Sequence, residues 1–274
     1  MLSAVDPTAV DKTSGGSMSS IPEWSRQRGF GITVDWGAAG AAAIGPGAAA
    51  LVVVDVLSFT TTVSVATGAG TVVYPYRWRD DSARAFADRH DAALAVGRRE
   101  ADAEQPWSLS PAALRRAPFT ARLVLPSPNG STIAAGVTGV PVVAGCLRNA
   151  SAVAAWLRGQ GWGTPARPVA IVAAGEHWPD SGIVRPALED WLGAGAVAAA
   201  LLDLGATDPS PEARTAAASF TATTDVAATV ADCASGRELI GGGFAEDVAV
   251  ATELEAEPTV PVLLDGAFAA QHVR

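Results

Sequence analysis

The stretch LVVVDVLSFTTTVSVA, residues 51–66, runs an apolar β-branched segment into a lone acid, Asp55, and then into Thr60, Thr61 and Thr62. A carboxylate at the carboxyl end of a buried strand stands where layered α/β proteins bind ligands. It can hold a hard cation such as Mg2+, which prefers oxygen donors. The hydroxyls that follow fall at or near the start of the next helix, where unpaired N–H groups and the helix dipole attract anions. One chemistry this spacing allows is a metal beside a phosphate. The other is a plain helix cap made by Asp55 with Ser58 or Thr60.

Three more stretches carry polar groups at strand ends. LVLPSPNGSTIAAG (123–136) reads as a strand, a Pro-Asn-Gly turn and a helix of small residues. Asn129, Gly130, Ser131 and Thr132 can present amides and hydroxyls to an anion, or form an ordinary strand–turn–helix with a serine cap. GCLRNASAV (145–153) puts Asn149 near another strand–helix junction, with Arg148 as a candidate anion clamp. In residues 169–201 a strand runs into Gly175 and Glu176, and a later helix carries Glu189 and Asp190, with Pro186 suited to its first turn. Adjacent acids do not share a helix face. One of the two is therefore expected at a site and the other in solvent.

These groups need elements to position them. Short β-branched runs predict strands at 51–56, 71–76, 93–96, 122–126, 141–144, 169–173 and 260–264. Helical patterns fit the segment after Thr60 and residues 80–90, 131–136, 149–158, 186–204, 211–220 and 245–255. The alternation implies an α/β fold, a layered, mostly parallel or mixed sheet with helices on both faces. GWGTPARP (161–168) and GATDPSP (205–211) are loops, or boundaries if the chain forms two α/β lobes. Residues 1–30 read as a flexible leader without the apolar core of a secretory signal, and Met18 is a second candidate start.

Composition narrows the function classes. With 49% hydrophobic and 17% charged residues the chain can bury a sizeable core. A formal net charge of -9 argues against a nucleic-acid partner, and no basic patch suits a membrane surface. The uncharged run from Ala38 to Val54 is broken by Gly40, Gly45, Pro46 and Gly47, short of the ~18–20 continuous apolar residues of a membrane span. Cys146 and Cys233 form no metal-ligand pair, and reduced thiols in a cytoplasmic protein are expected. His90, His177 and His272 do not cluster and there is no G-x-S-x-G elbow, which argues against a structural zinc site or a Ser-His-Asp hydrolase. Lys12, the only lysine, sits in the leader, so Schiff-base and P-loop chemistry are excluded.

In this order, Asp55–Thr62, Asn129–Ser131, Gly145–Ala150 and Ala174–Gly195 resemble the 2-phosphosulfolactate phosphatase (ComB) family. The closing segment 235–263, with Asp247, is similar as well, and the likeness covers about residues 31–270. The resemblance implies that residues 31–274 form a magnesium-dependent phosphomonoesterase domain. It would convert 2-phospho-3-sulfolactate to 3-sulfolactate and phosphate, a step toward coenzyme M. It carries over Asp55, Asn129, Glu189 and Asp190 as catalytic candidates, with Asp55, Glu189 and Asp190 as metal ligands. Ser58, Thr60, Thr61, Thr62, Gly130, Ser131, Arg148, Asn149 and Glu176 become substrate-side candidates. The implied partner is a small phosphorylated organic acid, and a homodimer is a further expectation. Two positions depart from the family pattern: Ser58 stands in place of arginine, and Leu109 in place of asparagine. Arg98, Arg99 and Arg148 are the arginines that can supply forked recognition of an oxyanion instead.

The expected chemistry is metal-assisted hydrolysis, with one carboxylate acting as general base on water. A phosphoaspartate on Asp55 is the alternative route. Leu57 occupies the place where haloacid-dehalogenase phosphatases carry a second acid, which favours direct attack by water. Two rival functions remain open at this point. One is a family member that binds an anionic metabolite without catalysis. The other is a dinucleotide-binding oxidoreductase, suggested by the glycines of 37–47 and 68–70.

Overall fold

The computed structural model describes residues 21–78, 80–179 and 181–272. Lys12, Met18 and the first twenty residues of the expected leader lie outside them. Residues 21–30 hold a short 3-10 helix, Glu23–Arg26, and Gln27 exchanges hydrogen bonds with the Val34 backbone.

The chain then alternates strand and helix. β1 (Ile32–Trp36) leads into α1 (Gly37–Ile44), and β2 (Ala50–Val54) into α2 (Phe59–Gly68). β3 (Val72–Tyr76), α3 (Asp81–His90), β4 (Ala93–Leu94), α4 (Pro111–Arg116), β5 (Arg122–Pro126) and α5 (Gly130–Gly136) follow. Next come β6 (Val142–Gly145), α6 (Ala150–Gly159) and β7 (Val169–Ala173), then a small hairpin of β8 (Glu176–His177) and β9 (Val184–Arg185). The last third is helical, with α7 (Leu188–Asp203), α8 (Pro211–Ala222), α9 (Val226–Asp232), α10 (Ala234–Gly241) and α11 (Ala245–Ala251). It ends in the hairpin β10 (Val260–Leu264) and β11 (Ala267–Gln271).

All seven expected strands form. β2, ALVVV, is buried along its whole length, as a parallel strand covered on both faces must be. β1 was not foreseen because Thr33 and Asp35 interrupt its apolar run, and β11 because AFAAQ has weak strand preference. A turn at Asp265–Gly266, both at positive φ, folds β11 onto β10. The helix at 186–204 starts at Leu188, with Ala187 as its cap, so Pro186 lies ahead of it and not in its first turn. The glycines at 37–47 belong to α1 and the turn after it.

The nine-stranded sheet has the order β1-β7-β2-β6-β10-β11-β3-β5-β4. β1, β7, β2 and β6 are parallel; β10 and β11 add antiparallel pairs; β3, β5 and β4 form a second parallel group. It is therefore mixed, with a helix layer on each face. One core packs Val52, Val54, Ile171 and Val143 against α6, α7 and α8. The other packs Leu51, Val53, Leu123, Leu125 and Phe268 against α1, α2 and α5. The two parallel groups nominally run in opposite senses. The segments that follow β2 and β5 nonetheless meet. The contact is direct, since the Gly130 N–H after β5 reaches the Asp55 carboxylate after β2. Among the described residues no helix is long and apolar enough to cross a membrane.

The small residues of α7 permit its close approach to its neighbours. A Cβ on Gly193 would lie 2.7 Å from Val54 and Val56 side chains, and one on Gly195 would lie 2.2 Å from the Ala216 carbonyl oxygen. Gly195→Ala should force α7 and α8 apart and cost about 1–3 kcal/mol, measured as a lower urea midpoint. Gly159→Ala, where an added Cβ meets nothing within 4 Å, should leave that midpoint unchanged or slightly raised.

Candidate active site

Asp55 leaves the end of β2 almost fully buried. Its Oδ1 accepts the Phe59 N–H at 3.1 Å and its Oδ2 accepts the Gly130 N–H at 2.9 Å. The approach at Gly130 requires glycine, because a Cβ there would stand 2.4 Å from Phe59 Cδ1 and 2.8 Å from Asp55 Oδ2. Burial raises the Asp55 carboxyl above the ordinary carboxylate range; the two N–H bonds and Arg98 oppose that, and Glu189 adds to it.

Asp190, in the first turn of α7, makes a matching bridge. Oδ1 accepts the Val56 N–H at 2.7 Å and Oδ2 the Gly175 N–H at 2.8 Å. It thus ties together the chain leaving β2 and the chain leaving β7. Burial, then the charges of Glu189, Asp55 and Glu176, push its pKa well up. The expectation that one of the paired acids lies in solvent is overturned, since Glu189 is 2% exposed and Asp190 3%. Glu189 Oε2 accepts the Cys233 thiol at 3.2 Å, and its charge acts on Asp55, Glu176 and Asp190.

The β8–β9 hairpin adds a fourth carboxylate. Glu176 Oε2 accepts the Asn129 side-chain N–H at 2.9 Å, while Asn129 Oδ1 lies 3.0 Å from His177 Nδ1. Burial and the neighbouring Asp55 raise Glu176 to about 7, with Asn129 opposing, Glu189 adding and Arg185 opposing.

Beside the carboxylates opens a cavity of about 510 Å³ lined by residues including Arg98, Glu176, His177, Arg185 and Ser235. Arg98 donates from Nε to Asp247 Oδ2 at 3.0 Å and from Nη2 to Ser58 Oγ. Arg185 donates to Ser235 Oγ at 3.1 Å. Neither Arg185 nor Ser235 stood out in the sequence. Arg185 sits on a strand of two residues, too short to leave a periodic trace, and Ser235 opens an unforeseen helix.

Several candidates face elsewhere. The hydroxyls of Thr60 and Thr61 donate to the carbonyls of Asp55 and Val56 and close the β2–α2 turn, while that of Thr62 donates to the Leu109 carbonyl and ties α2 to the segment before α4, so all three are directed at backbone and not into the cavity. Ser131 donates to the Tyr76 and Ser127 carbonyls. Asn149 closes its own turn, accepting from Cys146 N and donating to Ala144 O. Arg148 is no clamp at this site, because its Nη1 pairs with Glu253 and the Val250 carbonyl next to α11. Ser58 is present, but as the acceptor for Arg98. Asp55, Asn129, Gly130, Glu176, Glu189 and Asp190 do come together.

Among the described residues no three His, Cys, Asp or Glu side chains converge into a ready cation cage. The donor chemistry nonetheless fits Mg2+, which keeps several waters and is often held by one or two carboxylates. Each oxygen of Asp55 and Asp190 uses one lone pair on an N–H and retains another. Mutual repulsion among buried acids, with Arg98 and Arg185 as the nearby cations, leaves negative charge that a cation would offset.

The sequence model of the 2-phosphosulpholactate phosphatase family matches residues 44–266. The chain belongs to this family. A relative described as a probable 2-phosphosulfolactate phosphatase, from Thermotoga petrophila, is 28% identical over 222 residues, 79% of this chain and 90% of its own. Membership makes the chain a phosphoric monoester hydrolase and leaves the oxidoreductase reading without support.

Glu176 offers a check on the charge crowding in metal-free protein. Its folded pKa, about 7, lies above its ordinary 4.5. A raised pKa contributes stability that is fully present below the unfolded value and lost as pH rises through the folded one. Glu176→Gln should therefore raise the Tm relative to wild type at pH 8, and the gain should vanish below about pH 4.5. Thermal melts across that range, recorded with a chelator present, measure it.

Proposed function

We propose that this phosphatase is a Mg2+-dependent hydrolase of a small phosphorylated hydroxy acid, 2-phospho-3-sulfolactate or a close analogue. The balanced reaction is ester plus water to hydroxy acid plus phosphate. The observation that carries the reading is the burial of Asp55, with both oxygens fixed by backbone N–H groups, beside acids from α7 and an arginine-lined cavity. Asp55 and Asp190 would hold the cation, with Glu189 alongside. When bound, Mg2+ supplies neutralisation of phosphoryl oxygens and a polarised water.

The chain's own residues do the rest. Arg98 and Arg185 supply the positive wall that a substrate with a second anionic group requires. Glu176 can carry a proton at neutral pH and so can hand one to the leaving alkoxide oxygen. Asn129 fixes its carboxyl group from the α5 side. The two N–H bonds on Asp55 hold its carboxylate in place and reduce its nucleophilicity, which supports attack by water over a phosphoaspartate.

Asp55→Asn, whose amide nitrogen must face one of the two N–H groups, should cost about 1–3 kcal/mol of stability and lower turnover of the folded protein by about 10³-fold or more. The assay is phosphate release from 2-phospho-3-sulfolactate and from other hydroxy-acid phosphates, with Mg2+ and with EDTA. Unchanged turnover in the variant would remove Asp55 from the chemistry. Equal rates in EDTA would remove the metal.

A further inference from the structure

Arg98 is held more tightly than a cavity-wall arginine needs to be. Its Nε is paired with Asp247, which is 1% exposed. Asp247 is itself fastened through its other oxygen by the Ser110 hydroxyl and the Ala112 N–H at the start of α4. A second guanidinium nitrogen is tied to Ser58, in the loop between β2 and α2. The Phe244 ring lies 5.9 Å from the guanidinium carbon. Three separate parts of the chain thus aim one cation.

A guanidinium carries five N–H donors in a planar fork. Two are used here. Among the described residues Nη1 has no protein partner, and it is not sealed from solvent as the orphaned Nε of Arg148 is. Arg98 lines the cavity together with Glu176, and its charge partly opposes the rise that burial imposes on the Asp55 carboxyl. An acid inside the protein that orients an arginine, with part of the fork left open beside the reacting centre, is an arrangement suited to gripping a tetrahedral oxyanion.

We propose that Arg98 contacts the phosphoryl group of the substrate during hydrolysis and that Asp247 is the positioning residue that aims it. This rests on the phosphatase reading above and adds to it a named contact and its support.

The test compares wild type with Arg98→Ala, Arg98→Lys, Asp247→Asn and the Arg98→Ala/Asp247→Asn pair, all checked for folding by circular dichroism. Phosphomonoester turnover and inorganic-phosphate binding by calorimetry are both read. Arg98→Ala should lower kcat/KM by about 10²–10³-fold, weaken phosphate binding, and regain part of its turnover when guanidinium chloride is added at millimolar concentration. Lysine, which lacks the fork, should recover little. The Asp247→Asn loss should be largely absent when Arg98 is already gone, because the two act as one unit. Should Asp247→Asn fail to fold, Ser58→Ala replaces it in the same cycle. Unchanged phosphate affinity in Arg98→Ala, or no rescue by guanidinium, overturns the contact. Losses that multiply independently overturn the positioning role. If wild type releases phosphate from no ester, the phosphatase reading fails, and the calorimetry still decides whether Arg98 binds phosphate.

Discussion

The site depends on two buried carboxylates that each accept two backbone N–H groups. Asp190 joins Val56 N to Gly175 N, and Asp55 joins Phe59 N to Gly130 N. At the ends of parallel strands the ladder stops and N–H groups lose their partners, and burying such a donor unpaired costs about 1–3 kcal/mol. The aspartates satisfy two such donors, Val56 and Gly175, and two more at the first residues of α2 and α5, Phe59 and Gly130. In doing so they tie β2 to β7 across one junction and β2 to the turn after β5 across another. The same bonds that complete the fold fix four carboxylate oxygens close to Glu176 and Arg98, which line the cavity. Structure and chemistry therefore share these residues, and a helix-cap role for Asp55 does not compete with a functional one.

The arrangement carries an electrostatic cost. Asp55, Glu176 and the α7 pair Glu189 and Asp190 are close enough for their charges to act on one another, and burial together with that mutual charge raises Asp55, Glu176 and Asp190 above their ordinary values. Protonation, or a divalent cation where one is bound, would relieve part of this cost. Arg98 and Arg185 line the cavity together with Glu176, so positive charge stands beside the carboxylate where an anion would enter.

Much of the fold was legible because burial on both sheet faces leaves a continuous apolar signature, as in ALVVV and VAIVA. β1 and β11 were not, since their places are set by neighbours: β1 by pairing with β7, β11 by the Asp265–Gly266 turn. The acids of the site were legible for a similar reason. Glu189 and Asp190 are conspicuous on a helix of small apolar residues. What could not be read was the direction of the hydroxyls and arginines. A threonine hydroxyl can donate to a carbonyl within its own turn or to a ligand, and local sequence does not separate the two. Arg98 and Arg148 looked alike, but their partners, Asp247 and Glu253, lie more than a hundred residues further along.

That difference between the two arginines bears on how the chain can take an anionic substrate at all. With a formal net charge of -9, the protein repels anions at long range. Attraction must come from local positive charge inside a recess, where screening by solvent is weaker. Arg148 is of little use to such a ligand, because it is buried and its Nη1 is taken up by Glu253 and the Val250 carbonyl. Arg98 is neutralised by Asp247 on one side only, and its other face opens on the cavity. Pairing on one side keeps the guanidinium in place without desolvating all of it. An arginine held in this way can meet an oxyanion already oriented, so little side-chain entropy is lost on contact. The long-range Asp247 pair thus separates Arg98, held with part of its fork open to the cavity, from Arg148, whose Nη1 is spent on Glu253 and Val250.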